Sequence, residues 1–274
     1  MAGRTVVRRG TSAAGMDHAS WGDGDLTLLY IGGGPGGTVP SGRLGRGTER
    51  WFEPFTTAGH TVWYVSRRRG MPAGHTVEDV ADDYARFVRD ELGGRADLVV
   101  GVSYGGMVAL LLAARHPDLV GRVAVVAAAA EVSDWGKDVD DRLAQALARG
   151  DRTAAGATFA EYALPGRAWG WLRRLVGPLV GRMVGSGTHY PPSDVVVEAR
   201  SELVYDARAA LPAIRAPVVL LCGDEDPFFP PDVVARTAAL IPDCTLVPYP
   251  GRGHLWVGSS RQVPRDVLTA FDGA

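Results

Sequence analysis

Gly101-Val102-Ser103-Tyr104-Gly105 sets a serine between two glycines, each two residues away. The run follows five apolar residues (98–102, LVVGV) and opens a helical pattern. That is the setting in which a serine sits on a tight strand-to-helix turn with its Oγ presented to the outside. A Cβ at either flanking position would clash across such a turn, which is why both are glycine. A serine hydroxyl is a poor nucleophile at neutral pH and needs a base beside it. The chain has six histidines. His60 precedes an apolar run and His116 ends a helical one, so both read as structural or surface residues. His18, His75 and His189 lie in loop-like stretches. His254 differs, because it stands in Gly251-Arg252-Gly253-His254-Leu255-Trp256, just past the last apolar run.

A base of this kind keeps the right tautomer when a buried carboxylate holds its far nitrogen. Gly223-Asp224-Glu225-Asp226-Pro227 follows another apolar run and offers three acids. Asp226 sits deepest in that turn, stiffened by Pro227. Asp224 and Glu225 read as turn and solvent residues, and Glu131 is a minor rival. A tetrahedral intermediate also needs backbone donors aimed at its oxyanion. Tyr104, directly after the serine, supplies one candidate amide. Gly34, in the loop Gly32-Gly33-Gly34-Pro35-Gly36-Gly37, supplies the second. No Gly-Lys-Ser/Thr follows that loop, so a phosphate cradle does not fit.

These residues must be positioned by something. Apolar, β-branched-rich runs occur at 26–31 (LTLLYI), 61–65 (TVWYV), 98–102 (LVVGV), 123–127 (VAVVA), 218–222 (VVLLC) and 245–247 (TLV). Unbroken runs of strand length suit strands buried on both faces of a parallel sheet. Amphipathic patterns at 77–92, 105–115 and 232–241 predict helices between them, the first capped by Thr76 and stopped by Gly93-Gly94. The alternation predicts an α/β fold with a doubly wound sheet. It breaks between 131 and 200, where helical patterns occur without a clear strand. The expected organisation is therefore a core in two parts, 1–130 and 201–274, with a helical insert at 131–200.

The 274 residues are 46% hydrophobic and carry a formal net charge of −2, which excludes a strongly basic nucleic-acid footprint and argues against disorder. Arg8-Arg9 near the start is not followed by the apolar run of a secretory signal. No stretch reaches the length of apolar sequence that spans a bilayer. Cys222 and Cys244 fall at the end of one run and the start of the next. On parallel neighbouring strands they would lie too far apart to bond, so both read as free thiols. The expectation is a soluble cytoplasmic protein acting on a small molecule, with no nucleic-acid or membrane partner. Association into a homodimer stays open.

Taken together, the elbow, the Leu211–Asp226 segment and Pro250-Gly-Arg-Gly-His254 resemble the α/β-hydrolase superfamily with a helical cap, from about Leu26 to the end of the chain. The order Ser, Asp, His is that family's order. The resemblance implies a mostly parallel, twisted sheet of about eight strands flanked by helices. It also implies a serine hydrolase with no metal or organic cofactor, acting on an ester, thioester or lactone with an apolar acyl part. Its insert would act as a lid rich in apolar residues, including Trp169, Trp171, Leu172, Leu175 and Leu179. Trp169, Leu172 and Trp256 are the candidates for touching substrate, although packing is the plainer role for most of these side chains.

Three departures stand out. Gly32 takes the place where the family often has histidine, which suggests a looser loop or a bulkier acyl group. The Gly-Gly-Gly-Pro-Gly-Gly run is similar to the loop of proline iminopeptidases, although those usually carry Trp where this chain has Tyr104. An aminopeptidase would need acids near the site, from Glu131, Asp134 or the insert. Arg67-Arg68-Arg69-Gly70-Met71-Pro72 stands in place of Asp-x-Arg-Gly-x-Gly. It reads as a solvated basic turn, with attraction of an anionic substrate as the alternative. A third functional reading is a ligand-binding or natural-product tailoring protein on the same scaffold.

Overall fold

A computed structural model describes residues 7–186 and 191–272; His189 lies outside them. In chain order the elements are β1 (Val7–Thr11), β2 (Asp17–Trp21), β3 (Leu26–Ile31), α1 (Gly42–Thr57), β4 (His60–Val65), α2 (Val77–Glu91), β5 (Leu98–Val102) and α3 (Tyr104–Arg115). They continue with β6 (Val123–Val126), α4 (Asp134–Ala148), α5 (Arg152–Phe159), α6 (Gly170–Ser186) and α7 (Pro192–Val204). The chain then closes with β7 (Val218–Gly223), α8 (Pro231–Leu240), β8 (Cys244–Tyr249), α9 (His254–Ser259) and α10 (Val263–Asp272).

The strands form one eight-stranded sheet in the order β1-β2-β4-β3-β5-β6-β7-β8. From β4 to β8 every pairing is parallel, and only β2 runs the other way, antiparallel to both its neighbours β1 and β4. The six predicted runs are all strands. The β1–β2 hairpin lies outside those runs: it closes an edge and carries Arg8, Arg9 and His18 in place of an apolar stretch. Core layers lie on both faces of the sheet. One packs α2 and α3 on it through Tyr84, Phe87, Met107 and Leu111. The other packs α1 and α10 through Trp51, Phe52, Phe55 and Phe271.

Helix α2 starts as its sequence predicts. The Thr76 side chain accepts from the Asp79 amide, and Asp79 reaches back to the Thr76 amide. Cys222 pairs with Pro248 while Cys244 pairs with Val218, so the two thiols sit at opposite ends of β7 and β8 and both are free. No helix among the described residues is long and apolar enough to cross a membrane.

Strand order decides where a site forms. β3 has β4 on one side and β5 on the other, so the chain reverses its direction of travel across the sheet between β3 and β5. The loops leaving such neighbours diverge to opposite faces and leave a crevice at their carboxyl ends. Ile31 pairs with Gly101 there, which brings the Gly32–Gly37 loop against the turn at Ser103. The approach is close. A Cβ on Gly105 would fall on the Ile31 carbonyl, and one on Gly101 would fall on the Gly105 carbonyl. Gly105→Ala should therefore cost about 3 kcal/mol or more. In α1, by contrast, a Cβ on Gly47 would meet nothing within 4 Å. Gly47→Ala should be neutral or stabilise by about 0.4–1 kcal/mol. Urea midpoints of the two variants against the parent check both values.

Candidate active site

Ser103 follows β5 directly and adopts φ 54°, ψ −122°. A non-glycine residue with positive φ is strained, and such strain persists only where the surroundings over-determine it. Here the Ser103 amide donates to the Val126 carbonyl at 2.9 Å, and the Gly106 amide donates to the Ser103 carbonyl at 2.7 Å. Ser103 ends up as the N-cap of α3, yet its hydroxyl caps no amide. It faces His254 instead, with Oγ to Nε2 at 2.9 Å.

His254 is the first residue of α9. Its Nδ1 lies 2.7 Å from Asp226 Oδ2. Asp226 Oδ1 accepts the amides of Phe228 and Phe229 at 2.9 and 3.3 Å. With both of its oxygens engaged, Asp226 has one role left for the imidazole, which is to accept Nδ1–H. That leaves the Nε2 lone pair for the serine proton. Asp226 is 2% and His254 7% exposed. The imidazole is sandwiched by aromatics: Phe229 stacks on it at 5.9 Å and Phe228 tilts over it at 5.0 Å. Tyr162, from the segment between α5 and α6, stacks on Phe228 at 4.7 Å. The helical stretch between β6 and β7 is thus in contact with the ring assembly that fixes the histidine.

Five rival residues have other partners. Glu131 pairs with Arg208 and Arg236. His60 meets the Phe55 carbonyl, His75 meets Asp83 and His116 meets Asp82. Asp224 accepts the Gly251 amide at 2.7 Å and so braces the turn that delivers His254.

The cavity beside Ser103 has a volume of about 310 Å³. Gly33, Gly34 and Tyr104 border it, together with Tyr30, Tyr64, Leu143, Val195, Phe228 and Phe229. Tyr104 opens α3, so its amide has no partner within the helix. Gly34 also has positive φ, at 66°. Trp169, Leu172 and Trp256 are not among the described residues that line the cavity. Trp169 is 45% exposed, and Trp171, Leu175 and Leu179 are more exposed still. Trp256 packs on Tyr249 and under the Arg252 guanidinium. The apolar lining comes instead from α4, α7 and the Phe228-Phe229 pair. Asp134 is exposed and, like Glu131, does not line the cavity.

Two expectations about the loops need correction. Gly32 does not loosen its loop, because the Tyr64 hydroxyl fills the space a Cβ would need. Burial pushes the Tyr64 phenol up to about 12, so it stays neutral. Nor is the arginine run solvated throughout: Arg68 and Arg69 stay partly exposed, but Arg67 does not. Arg67 is fully buried. Its guanidinium donates to the carbonyls of Gly32 and Gly34, pairs with Glu198 of α7, and lies 4.4 Å over the Tyr104 ring. Glu198 also accepts the Gly36 amide at 2.9 Å. One turn earlier in α7, buried Asp194 accepts the amides of Gly70 and Met71. Ser201 donates to the Glu198 carbonyl, so the Tyr104 hydroxyl donates to Ser201. Helix α7 is therefore bonded to both loops beside the serine.

With this geometry in place, comparison with known proteins settles the lineage. Residues 27–257 match the model of the α/β-hydrolase fold family. The chain belongs to that family. Among curated relatives, this hydrolase is 27% identical over 215 residues to a putative carbamate hydrolase, RutD, of Caulobacter segnis, covering 76% of each chain. It is 28% identical over 208 residues to a pimeloyl-[acyl-carrier protein] methyl ester esterase of Nitrosomonas europaea, covering 71% of this chain and 77% of the relative. The enol-lactonase of Burkholderia xenovorans has a similar fold, with a TM-score of 0.70 at 20% identity over 94% of this chain and 96% of that one. An α/β-hydrolase-type enzyme is thus the established class.

Sequence reasoning missed Arg67, Glu198 and the acids Asp140 and Glu202, all of which border or brace the cavity. A signal existed. Val195, Glu198, Ala199 and Glu202 are spaced as one helical face, and acids on an otherwise apolar face need a buried partner or a task.

Two measurable consequences arise. Arg67→Met would leave Glu198 buried without its cation and two loop carbonyls without their donor. It should cost about 3–5 kcal/mol, with part recovered in Arg67→Met/Glu198→Gln; chemical denaturation of the three proteins checks this. Asp140 is 1% exposed, and burial raises its carboxyl to about 6, opposed by the Tyr162 hydroxyl. In the unfolded chain it ionises near the usual aspartate value. Between the two values only the folded protein holds the proton, so this contribution is full at low pH and is lost as pH rises through about 6. The difference is on the order of 2–3 kcal/mol. In Asp140→Asn, stability should fall less than in the parent between about pH 4 and pH 6.5, read from melting curves.

Proposed function

We propose that this hydrolase cleaves an ester, thioester or lactone with an apolar acyl part through an acyl-enzyme on Ser103. The observation that carries the reading is the unbroken hydrogen-bond chain Ser103–His254–Asp226 at the wall of a largely apolar cavity. In the proposed reaction His254 Nε2 takes the proton as Ser103 Oγ attacks the carbonyl. Asp226 stabilises the imidazolium, and the amides of Tyr104 and Gly34 receive the oxyanion. The histidine then protonates the leaving group. Water enters, loses its proton to the same nitrogen and releases the acid.

Arg67 serves the second donor indirectly. By holding the Gly32 and Gly34 carbonyls it fixes the orientation of the peptide that presents the Gly34 amide. The insert acts as a cap that excludes water and shapes the acyl pocket. The relatives support acyl transfer as the reaction class: one is named as a methyl ester esterase and one as a carbamate hydrolase.

Ser103→Ala should lower kcat/KM for short p-nitrophenyl esters by about 10³-fold or more, and Asp226→Asn by about 10³–10⁴-fold. An alkyl fluorophosphonate should label the parent at Ser103 and leave Ser103→Ala unlabelled. Undiminished hydrolysis by Ser103→Ala would overturn the assignment, and so would a parent that resists the label.

A further inference from the structure

The same cavity holds three carboxyl groups, and they do not share one fate. Glu198 is matched to Arg67 and the Gly36 amide. Among the described residues, Asp140 of α4 is met by one phenol, and neither it nor Glu202 of α7 is met by an arginine or lysine. The Tyr162 hydroxyl donates to Asp140 Oδ1 at 2.6 Å. Asp140 Oδ2 is buried and receives no N–H or hydroxyl among the described residues. Beside it is the Glu202 carboxyl, whose ionisation the Asp140 charge opposes. Two neighbouring carboxyls out of water do not both ionise unless a cation meets them. Neither forms an ion pair with an arginine or lysine among the described residues. Both line the cavity that contains Ser103 and His254.

A buried acceptor without a donor costs about 1–3 kcal/mol. Two adjacent carboxyls in an apolar wall are more costly still unless a positive charge reaches them. The arrangement is therefore incomplete when the cavity is empty of ligand. An alkylammonium completes it: three N–H donors meet two carboxyl groups, and its positive charge lets a carboxyl that was held protonated ionise, the proton leaving to solvent. A neutral alcohol would offer one donor and no charge.

We propose that Asp140 and Glu202 form a subsite for a protonated amine, so that the acyl substrate of this hydrolase carries an ammonium group reaching from the reacting carbonyl toward α4 and α7. The proposal rests on the serine-hydrolase reading for its reaction, but the amine site stands on the cavity alone. Burial, and then the neighbouring Asp140, hold the Glu202 carboxyl well above the usual glutamate range, as expected of a pair that lacks its cation.

The test uses n-hexylammonium chloride as probe and 1-hexanol as its neutral counterpart, with sodium chloride matching the salt. Both are measured by melting temperature and as inhibitors of p-nitrophenyl butyrate hydrolysis. Hexylammonium should bind the parent about tenfold more tightly than hexanol and raise its melting temperature further. Asp140→Asn/Glu202→Gln should bind the two probes equally. Where that variant does not melt cooperatively, Glu202→Gln alone replaces it, because Glu202 is only partly buried. Equal binding of both probes by the parent overturns the amine site, as does a preference that survives in the variant. A parent that prefers hexylammonium in melting but shows no Ser103-dependent ester turnover keeps the amine site and loses the hydrolase reading.

Discussion

The site depends on one constraint, the forced turn at Ser103. Its backbone sits at φ 54°, ψ −122°, a conformation that costs about 1–3 kcal/mol for a residue with a side chain. Nothing local offsets that cost. The hydroxyl makes no capping bond, so the turn is held from outside by the β6 carbonyl at Val126 and by close packing against the end of β3. That packing is possible only because Gly101 and Gly105 lack side chains. The strain and the position of the Gly32–Gly37 loop are therefore one problem. The contact that forces the serine outward also sets the Gly32–Gly34 segment beside it. A substitution that relaxed the turn would also displace the loop.

The second control on that loop is ionic. Arg67 puts a cation beneath two carbonyls, and burial makes an unmatched cation untenable. Glu198 answers it from α7, on the far side of the insert boundary. The loop beside the serine is consequently shaped by a helix that belongs to another part of the chain. Asp194 repeats the device one turn away on the 70–71 amides. These bonds are directional and desolvated, so they fix α7 in one register more firmly than apolar contact alone would.

The core is legible in the sequence because buried parallel strands must be apolar on both faces, and a chain cannot hide such runs. The serine, histidine and aspartate are legible because each follows a strand end, where topology forces convergence. The β1–β2 hairpin is not. An edge needs no apolar run, and Arg8-Arg9 reads as solvent-facing wherever it lies. Arg67 misleads for a related reason: an arginine in a run of three looks solvated until its partner, 131 residues away, is known. Hydrophobicity alone points to Trp169 and Leu172 for the lining of the insert, but that measure cannot say which face of a helix turns inward. The exposed Trp171, Leu175 and Leu179 of α6 show the ambiguity, since they recur at helical spacing and yet point to solvent.

The acids of α7 show why spacing and charge together carry more than either does alone. Glu198 and Glu202 are one helical turn apart on a face shared with Val195 and Ala199, and both border the same cavity. In a low-dielectric wall each carboxylate needs a cation or a proton. One has an arginine supplied by the fold. The other, among the described residues, has a neighbouring aspartate in place of a cation, which doubles the demand for positive charge and supplies none. A protein that needed merely a closed apolar pocket would gain stability by replacing the Asp140–Glu202 pair with apolar residues of similar volume. Its presence beside the Ser103–His254 pair places a standing electrostatic demand where a bound molecule can meet it.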